Sequence, residues 1–232
     1  LTAARDALIA QIWRGSDPFA GFPCHLYAID KQGWRSAHPY LTEAVDLLRP
    51  KIVVEIGVWK GASVITMARR MKELRLDGVV VAIDTWLGSV EHWRRDRYYP
   101  SLGLEMGRPQ VQRVFMSNIL SEQLQDYVLP LPLDSINASL LLRKKAVAID
   151  LLHIDAGHDY DSVATDLKIW WPALRRGGVL IGDDYGTEQW PGVQRAFDEK
   201  FGRDLQHVDG KCWVTKSEVR RQTPLSSPRL VA

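Results

Sequence analysis

The feature that most constrains this chain is an alternation, from about residue 50 to residue 185, of short β-branched runs with stretches of helical apolar period. Such alternation builds βαβ units and a mostly parallel sheet covered by helices. Strands are predicted near Ile52 to Ile56, Val79 to Ile83, Val111 to Phe115, Ile149 to Ile154 and Val179 to Gly182. Between the first two, Val64, Met67, Ala68, Met71 and Leu74 recur at three- and four-residue steps, with Arg69, Arg70, Lys72 and Glu73 between them, so a crossover helix is expected. Val163, Leu167, Trp170 and Leu174 mark a second stripe, broken at Pro172 and the Gly177-Gly178 pair. After the fifth strand come a short helical face (Val193, Ala196, Phe197, Phe201) and two alternating runs, Leu205 to Val208 and Cys212 to Thr215. Their Asp209-Gly210 junction suits a hairpin turn. The expected fold is α/β: a Rossmann-like, doubly wound, mostly parallel seven-stranded sheet with a C-terminal antiparallel hairpin.

The core domain is expected over 50–216. Residues 1–49 hold helical stretches near Arg5 to Trp13 and Leu41 to Leu48 and are expected to form an N-terminal helical cap. Residues 217–232, with two Pro and no periodicity, are expected to be a loose tail. No run of about 18 apolar residues could span a bilayer, and no basic segment followed by an apolar one opens the chain, so no membrane and a cytoplasmic location are expected. A net charge of +2 is too small to make nucleic acid the main partner, and a small molecule is the expected one. Assembly with copies of itself stays open. The only cysteines, Cys24 and Cys212, make no disulfide framework and no metal-ligand spacing.

In VVEIGVWKGASVITMA a buried strand runs through a glycine-containing turn into a helix. Gly57 and Gly61 let backbone approach a ligand without a Cβ in the way. The Glu55-x-Gly57-x-x-x-Gly61 spacing lacks the GxGxxG of a pyrophosphate site, which disfavours a nicotinamide-dependent oxidoreductase. Asp84 closes the next strand, where an acid can accept both ribose hydroxyls; Asp84 alone would equally fit a turn cap. Turn and acid together favour an adenosine-type ligand, and a sulfonium such as S-adenosylmethionine needs no phosphate-binding amides. Ser63 could cap the following helix or touch the cofactor, and Asn118 could touch adenine or ribose or serve a turn.

The fourth strand runs into HIDAGHDYD and the fifth into GGVLIGDDYG, so Asp155, Asp183 and Asp184 should meet at the carboxyl edge that carries the turn. Clustered carboxylates repel unless a cation neutralises them, and all-oxygen donors suit Mg²⁺ or Mn²⁺. His158, three residues past Asp155, is the candidate proton acceptor, though it could instead cap the next helix. Asp159 and Asp161 read as helix-start charges and His153 as a buried core residue.

The segments EIGVWKGAS, AIDTWLGSVEHW, HIDAGHDYDSV and GGVLIGDDY, over roughly residues 50 to 186, resemble the class I S-adenosylmethionine-dependent methyltransferases. Within them the chain is similar to Mg²⁺-dependent small-molecule O-methyltransferases: macrolide-sugar enzymes of the mycinamicin type and cephalosporin-pathway relatives. The resemblance implies that Asp155, Asp183 and Asp184 hold the metal, that His158 is the general base and that the acceptor is a hydroxyl of a sugar or natural-product-like small molecule. The segment TWLGSVEHWRRDRYYPSLGLEMGRP is too long for a plain connection and is expected to be a mobile flap, with Trp86, His92 and Trp93 as candidate substrate contacts. Tyr185, beside the acid pair, is a fourth. A metal-independent N- or C-methyltransferase, or a non-catalytic nucleotide- or partner-binding module of the same fold, are the alternative readings.

Overall fold

The computed structural model of the chain describes residues 2–203 and 205–217. The chain starts with helices α1 (Ala3–Ile12) and α2 (Pro39–Leu48), then strand β1 (Ile52–Ile56), α3 (Ala62–Glu73), β2 (Val79–Ile83), the short α4 (Val90–Arg94) and α5 (Val111–Ser121). It continues through β3 (Val128–Leu131), α6 (Ser135–Lys144), β4 (Ile149–Ile154), α7 (Tyr160–Trp170), β5 (Leu174–Gly182), α8 (Pro191–Phe201), β6 (Gln206–Val208) and β7 (Lys211–Thr215). The seven strands are ordered β3-β2-β1-β4-β5-β7-β6; β1 to β5 run parallel, and the β6–β7 hairpin joins antiparallel at β5. The fold is therefore the expected Rossmann-like sheet. Asp209 and Gly210 both take positive φ, the backbone that a two-residue hairpin turn requires. The expected tail lies outside the described residues apart from its first residue, Ser217.

Successive strand residues feed opposite layers, which is why these strands read as almost continuous apolar runs. Val53, Val80, Ala82, Leu151 and Ile181 pack with α2, α3 and α5, whereas Val54, Ile56, Val81, Leu152 and Ile154 pack with α1, α6, α7 and α8. The two N-terminal helices thus lie in opposite helical layers. Arg5 of α1 is fully buried; its Nε donates to the Val128 carbonyl at 3.0 Å and its guanidinium grips both oxygens of Asp17. Among the described residues no helix is long and apolar enough to cross a membrane.

The third strand departs from expectation. Val111 to Phe115 opens helix α5, and the strand is Val128–Leu131. Val111, Phe115 and Ile119 stand four residues apart and are all buried, a helical stripe whose first turn alone mimics strand alternation. The true strand carries Pro130, which the sheet tolerates because β3 is its outer strand. Strand β5 also starts earlier than expected, at Leu174, with a register shift against β4 between Ile149 and Leu151.

One buried acid in the helical layer gives a stability prediction. Asp166 of α7 accepts from the Ser135 hydroxyl, which itself accepts from Trp170 Nε1 at 2.8 Å. Burial pushes the Asp166 carboxyl up to about 6, against the opposing hydrogen bond from Ser135. The folded state therefore holds this proton where the unfolded chain has lost it, so stability is greatest below the usual carboxylate range and falls as pH rises to about 6. Asp166→Asn keeps an acceptor for Ser135 and removes the charge. Chemical denaturation is expected to find it more stable than wild type at pH 8 by ~2 kcal/mol, and level with wild type near pH 4.

Candidate active site

The chain leaves β1 toward β2 and β3 on one side of the sheet and returns to β4 and β5 on the other. The crevice beyond the carboxyl ends of β1 and β4 is the switch point at which open α/β sheets bind ligands. The strand ladder runs straight into it: Gly57 donates to the Ile83 carbonyl, Asp155 to Ile56 and Asp183 to Ile154, at 2.9–3.0 Å. The turn after β1 and the acids after β4 and β5 thus share one edge.

The two turn glycines have positive φ, and the space they free is filled by the protein itself. A Cβ at Gly57 would stand 1.9 Å from the Asp155 carbonyl oxygen, and one at Gly61 2.6 Å from the Phe115 ring. Gly57 thereby seats the glycine turn directly against the backbone of the acid-bearing β4 loop. Gly57→Ala combines backbone strain with a backbone clash that no rotamer relieves; it is expected to cost ~2–4 kcal/mol in denaturant melts and to weaken cofactor binding with it. Asp84 closes the turn from β2: Oδ2 accepts from Val58 and Trp59 N–H at 2.9 and 2.8 Å, and Oδ1 from Trp86 N–H at 2.7 Å. Burial raises its carboxyl despite these three donors.

From the turn, a line of buried polar side chains crosses three strands. Ser63 donates to Glu55 Oε1, and Glu55 Oε2 faces His153 Nδ1 at 3.5 Å. His153 Nε2 lies 3.1 Å from Lys211 Nζ, which reaches Asp183 Oδ2 at 2.9 Å. Asp183 in turn shares a hydrogen bond with Asp155. Because ammonium can only donate, Nε2 of His153 accepts and the ring proton sits on Nδ1, pointing at Glu55. Burial and the neighbouring Asp183 carboxylate push Asp155 well above the usual carboxylate range. Burial acts the same way on Asp183, but the Lys211 ammonium beside it outweighs burial and holds Asp183 low. The two neighbouring carboxylates are thus driven apart, Asp155 upward and Asp183 downward.

The three expected metal carboxylates are thus split between two groups that share Asp155. Ligand atoms of His153, Asp155 and Asp183 fall within 4.8 Å of one another, and so do those of Asp155, His158 and Asp184. The inner group already faces the Lys211 ammonium. In the outer group His158 Nε2 is 3.1 Å from Asp184 Oδ2, and Arg35 from the N-terminal segment pairs with Asp184 Oδ1 at 2.6 Å. The His158 ring stacks on Trp190, with centroids 4.3 Å apart, and its Nδ1 is buried with no hydrogen-bond partner among the described residues.

The remaining expected residues fall in several places. Asn118 lies on α5, fully buried, donating to the Asp30 and Lys60 carbonyls at 2.7 and 2.8 Å and accepting from Asp30 N–H. Its amide ties the N-terminal segment to the glycine turn and has no free donor left. Trp86 and Tyr185, expected at the substrate, belong to the core instead. Trp86 is 2% exposed against Phe115, its indole N–H given to the Trp59 carbonyl; Tyr185 is 3% exposed, its hydroxyl donating to Asp198. Large rings next to strand ends fill the layers there before they can face a ligand. His92 does reach the site's wall: it stacks on Trp59 of the glycine turn at 4.0 Å, with Nδ1 held by Ser89. Trp93 remains half exposed, its indole N–H on the Leu87 carbonyl. The segment 85–109, expected to be a flap, is thus pinned to the turn by a ring stack.

Sequence reasoning missed Lys211, Arg35 and the Lys60–Asp30 pair at 2.6 Å, and it set His153 aside. Lys211 was within reach: an Asp-Gly hairpin turn starts β7 at the edge where β5 ends, beside Asp183. Nothing local marks Arg35.

The family model described as a methyltransferase domain matches residues 54–185. The uncharacterized protein y4gI of Sinorhizobium fredii is 28% identical over 200 residues, covering 83% of this chain; the chain spans 20% of that relative's length. An O-methyltransferase from Bacillus cereus in complex with S-adenosylhomocysteine (SAH) superposes with a TM-score of 0.55 at 19% identity, covering 92% of this chain and 97% of that one. The O-methyltransferase TomG from Streptomyces achromogenes, involved in tomaymycin synthesis and solved with S-adenosylmethionine (SAM), gives 0.56 at 16% identity, over 93% and 96% of the two chains. At such identities the likeness to the two solved structures is one of fold.

Proposed function

The chain belongs to the methyltransferase-domain family, and from that premise we propose that it moves the methyl group of SAM to a hydroxyl of a small molecule with a divalent metal ion at the carboxylate edge. The observation that carries the proposal is the contact of the Gly57 turn with Asp155, which puts a cofactor turn and an Asp155–His158–Asp184 cluster side by side. The names of two neighbours as O-methyltransferases, solved with SAH and SAM, support the donor and the acceptor atom.

Glu55, Gly57, Gly61, Ser63 and Asp84 form the cofactor wall, with Asp84 placed for the ribose hydroxyls and Asn118 bracing the turn from behind. Asp155 and Asp184 would hold Mg²⁺ or Mn²⁺, and their chemistry fits such an ion: two carboxylates, partly open to solvent, beside an imidazole that stays free to take a proton. An ion held there would supply Lewis-acid stabilisation of the negative charge that builds on the acceptor oxygen. Asp183 stands behind it, committed to Lys211.

His158 takes the proton. Its Nε2 faces the acidic cluster whereas Nδ1 is buried, so a hydroxyl bound at the cluster hands its proton to Nε2. Asp184 Oδ2 then balances the imidazolium, and Trp190 fixes the ring plane. The sulfonium is already an activated donor, so alignment and deprotonation are the work left to the protein. His92 and Trp93 on the flap are placed to meet the acceptor from above the turn.

A metal-free transfer is the second reading, favoured by one observation: Lys211 already neutralises Asp183. Two measurements separate the readings. In a thermal-shift comparison SAH raises the melting midpoint and NAD does not; stabilisation by NAD alone would overturn the assignment. Excess EDTA abolishes turnover and Mg²⁺ or Mn²⁺ restores it; full turnover in EDTA would leave only the metal-free reading.

A further inference from the structure

Lys211 has no exposed surface, although a lysine is almost never fully buried. Its ammonium touches a carboxylate and an imidazole: Asp183 Oδ2 at 2.9 Å and His153 Nε2 at 3.1 Å. Those two residues, with Asp155, make the inner of the two clusters that could hold a metal. A buried charge pair of this kind costs more in lost hydration than a packed apolar pair, so its presence asks for a task other than stability. The task is visible in the geometry. Two carboxylates on adjacent strand ends, Asp155 and Asp183, bring ligand atoms within 4.8 Å of each other, and among the described residues the cation against the inner one is carried by the antiparallel hairpin.

We infer that Lys211 is the resident cation of the inner carboxylate, a positioning residue that holds Asp183 against Asp155 when no divalent ion is bound and that confines any such ion to Asp155 and Asp184, beside His158. The first half stands on contacts alone; the second rests on the metal-assisted reading above. Lys211 therefore sets how tightly the edge binds metal. With the ammonium in place the inner carboxylate is spent, and without it Asp183 becomes a third ligand for a divalent ion.

The test compares EDTA-stripped wild type, Lys211→Met and Lys211→Arg, each checked for SAH binding. Mn²⁺ affinity is read from the electron paramagnetic resonance signal of the free ion, and melting midpoints are taken in EDTA and in Mn²⁺. Lys211→Met, close in volume to lysine, is expected to bind Mn²⁺ at least about tenfold more tightly than wild type. It should melt lower than wild type in EDTA and recover most of that loss in Mn²⁺, while Lys211→Arg stays near wild type. A merely structural lysine would give a loss that metal does not repair. An affinity equal to or below that of wild type in a Lys211→Met protein that still binds SAH overturns the inference. Should that variant fail to fold, the charge-neutral double variant Lys211→Met/Asp183→Asn is expected to bind Mn²⁺ within about threefold of wild type, and a loss beyond about tenfold overturns it instead. A wild type blind to Mn²⁺ beside a Lys211→Met variant that binds it would remove the metal from the proposed reaction and leave Lys211 in its role.

Discussion

Asp155→Asn is expected to lower turnover by at least about 10³-fold on any acceptor the wild type methylates, while SAH binding stays within about threefold. Among the described residues Asp155 is the side chain common to both clusters of ligand atoms, so its loss disables the outer group and removes the neighbour of Asp183 in the inner one. The amide is nearly the same size, and the contact that seats the glycine turn is made by the Asp155 backbone carbonyl, so the cofactor wall is left standing. Asp183→Asn should cost less than Asp155→Asn, because Lys211 already cancels the Asp183 charge. Single-turnover rates with calorimetric SAH titrations check both halves; a variant that keeps turnover within about tenfold would remove the carboxylate edge from the chemistry.

His158→Ala is the second large effect. General-base catalysis by a positioned side chain contributes about 10²–10⁴-fold, and a loss in that range is expected in kcat with SAH affinity unchanged. The ring plane is held by the stack on Trp190, and Asp184 Oδ2 stands 3.1 Å from Nε2 to pair with the imidazolium once the proton has arrived. Trp190→Ala should therefore lower kcat by about tenfold, since it loosens the imidazole without removing it. Equal losses in the two variants would mean that the stack, rather than the proton acceptor, is what the reaction needs.

Much of this was legible in the sequence because the strands are short, apolar and bounded by glycines and acids. Glu55, Gly57, Asp84, Asp155 and Asp183 each sit at or just past a strand end that periodicity had located. The misplaced third strand has a physical cause: VLPLPL reads as a break, yet an outer strand lacks one neighbour and accepts Pro130. Placing Val111 to Phe115 in that strand also put Asn118 in a loop, when it is a buried helix residue joining two segments. Trp86 and Tyr185 look like ligand contacts because they follow Asp84 and Asp184, but nearness in sequence says nothing about which layer receives a ring.

The electrostatics were half legible. Repulsion among the acids implies a cation, and a divalent ion was the expected one; part of that cation is Lys211, placed there by a long-range strand pairing. The Arg35–Asp184 pair depends on a segment without regular structure reaching across 149 positions, which no local pattern encodes. In this structure Arg35 and His158 share the two oxygens of Asp184, so the N-terminal segment meets the outer group directly.

The central claim is methyl transfer from SAM to oxygen at the joined turn and carboxylate edge. Its most direct test is mass spectrometry of the protein incubated with SAM, Mg²⁺ and a panel of hydroxylated sugars and ring compounds. The expected result is a product one methylene heavier, with the new methyl on oxygen and SAH formed in equal amount, absent from the Asp155→Asn control. A protein that binds SAH yet leaves every acceptor unchanged, or that places the methyl on nitrogen or carbon, would contradict it.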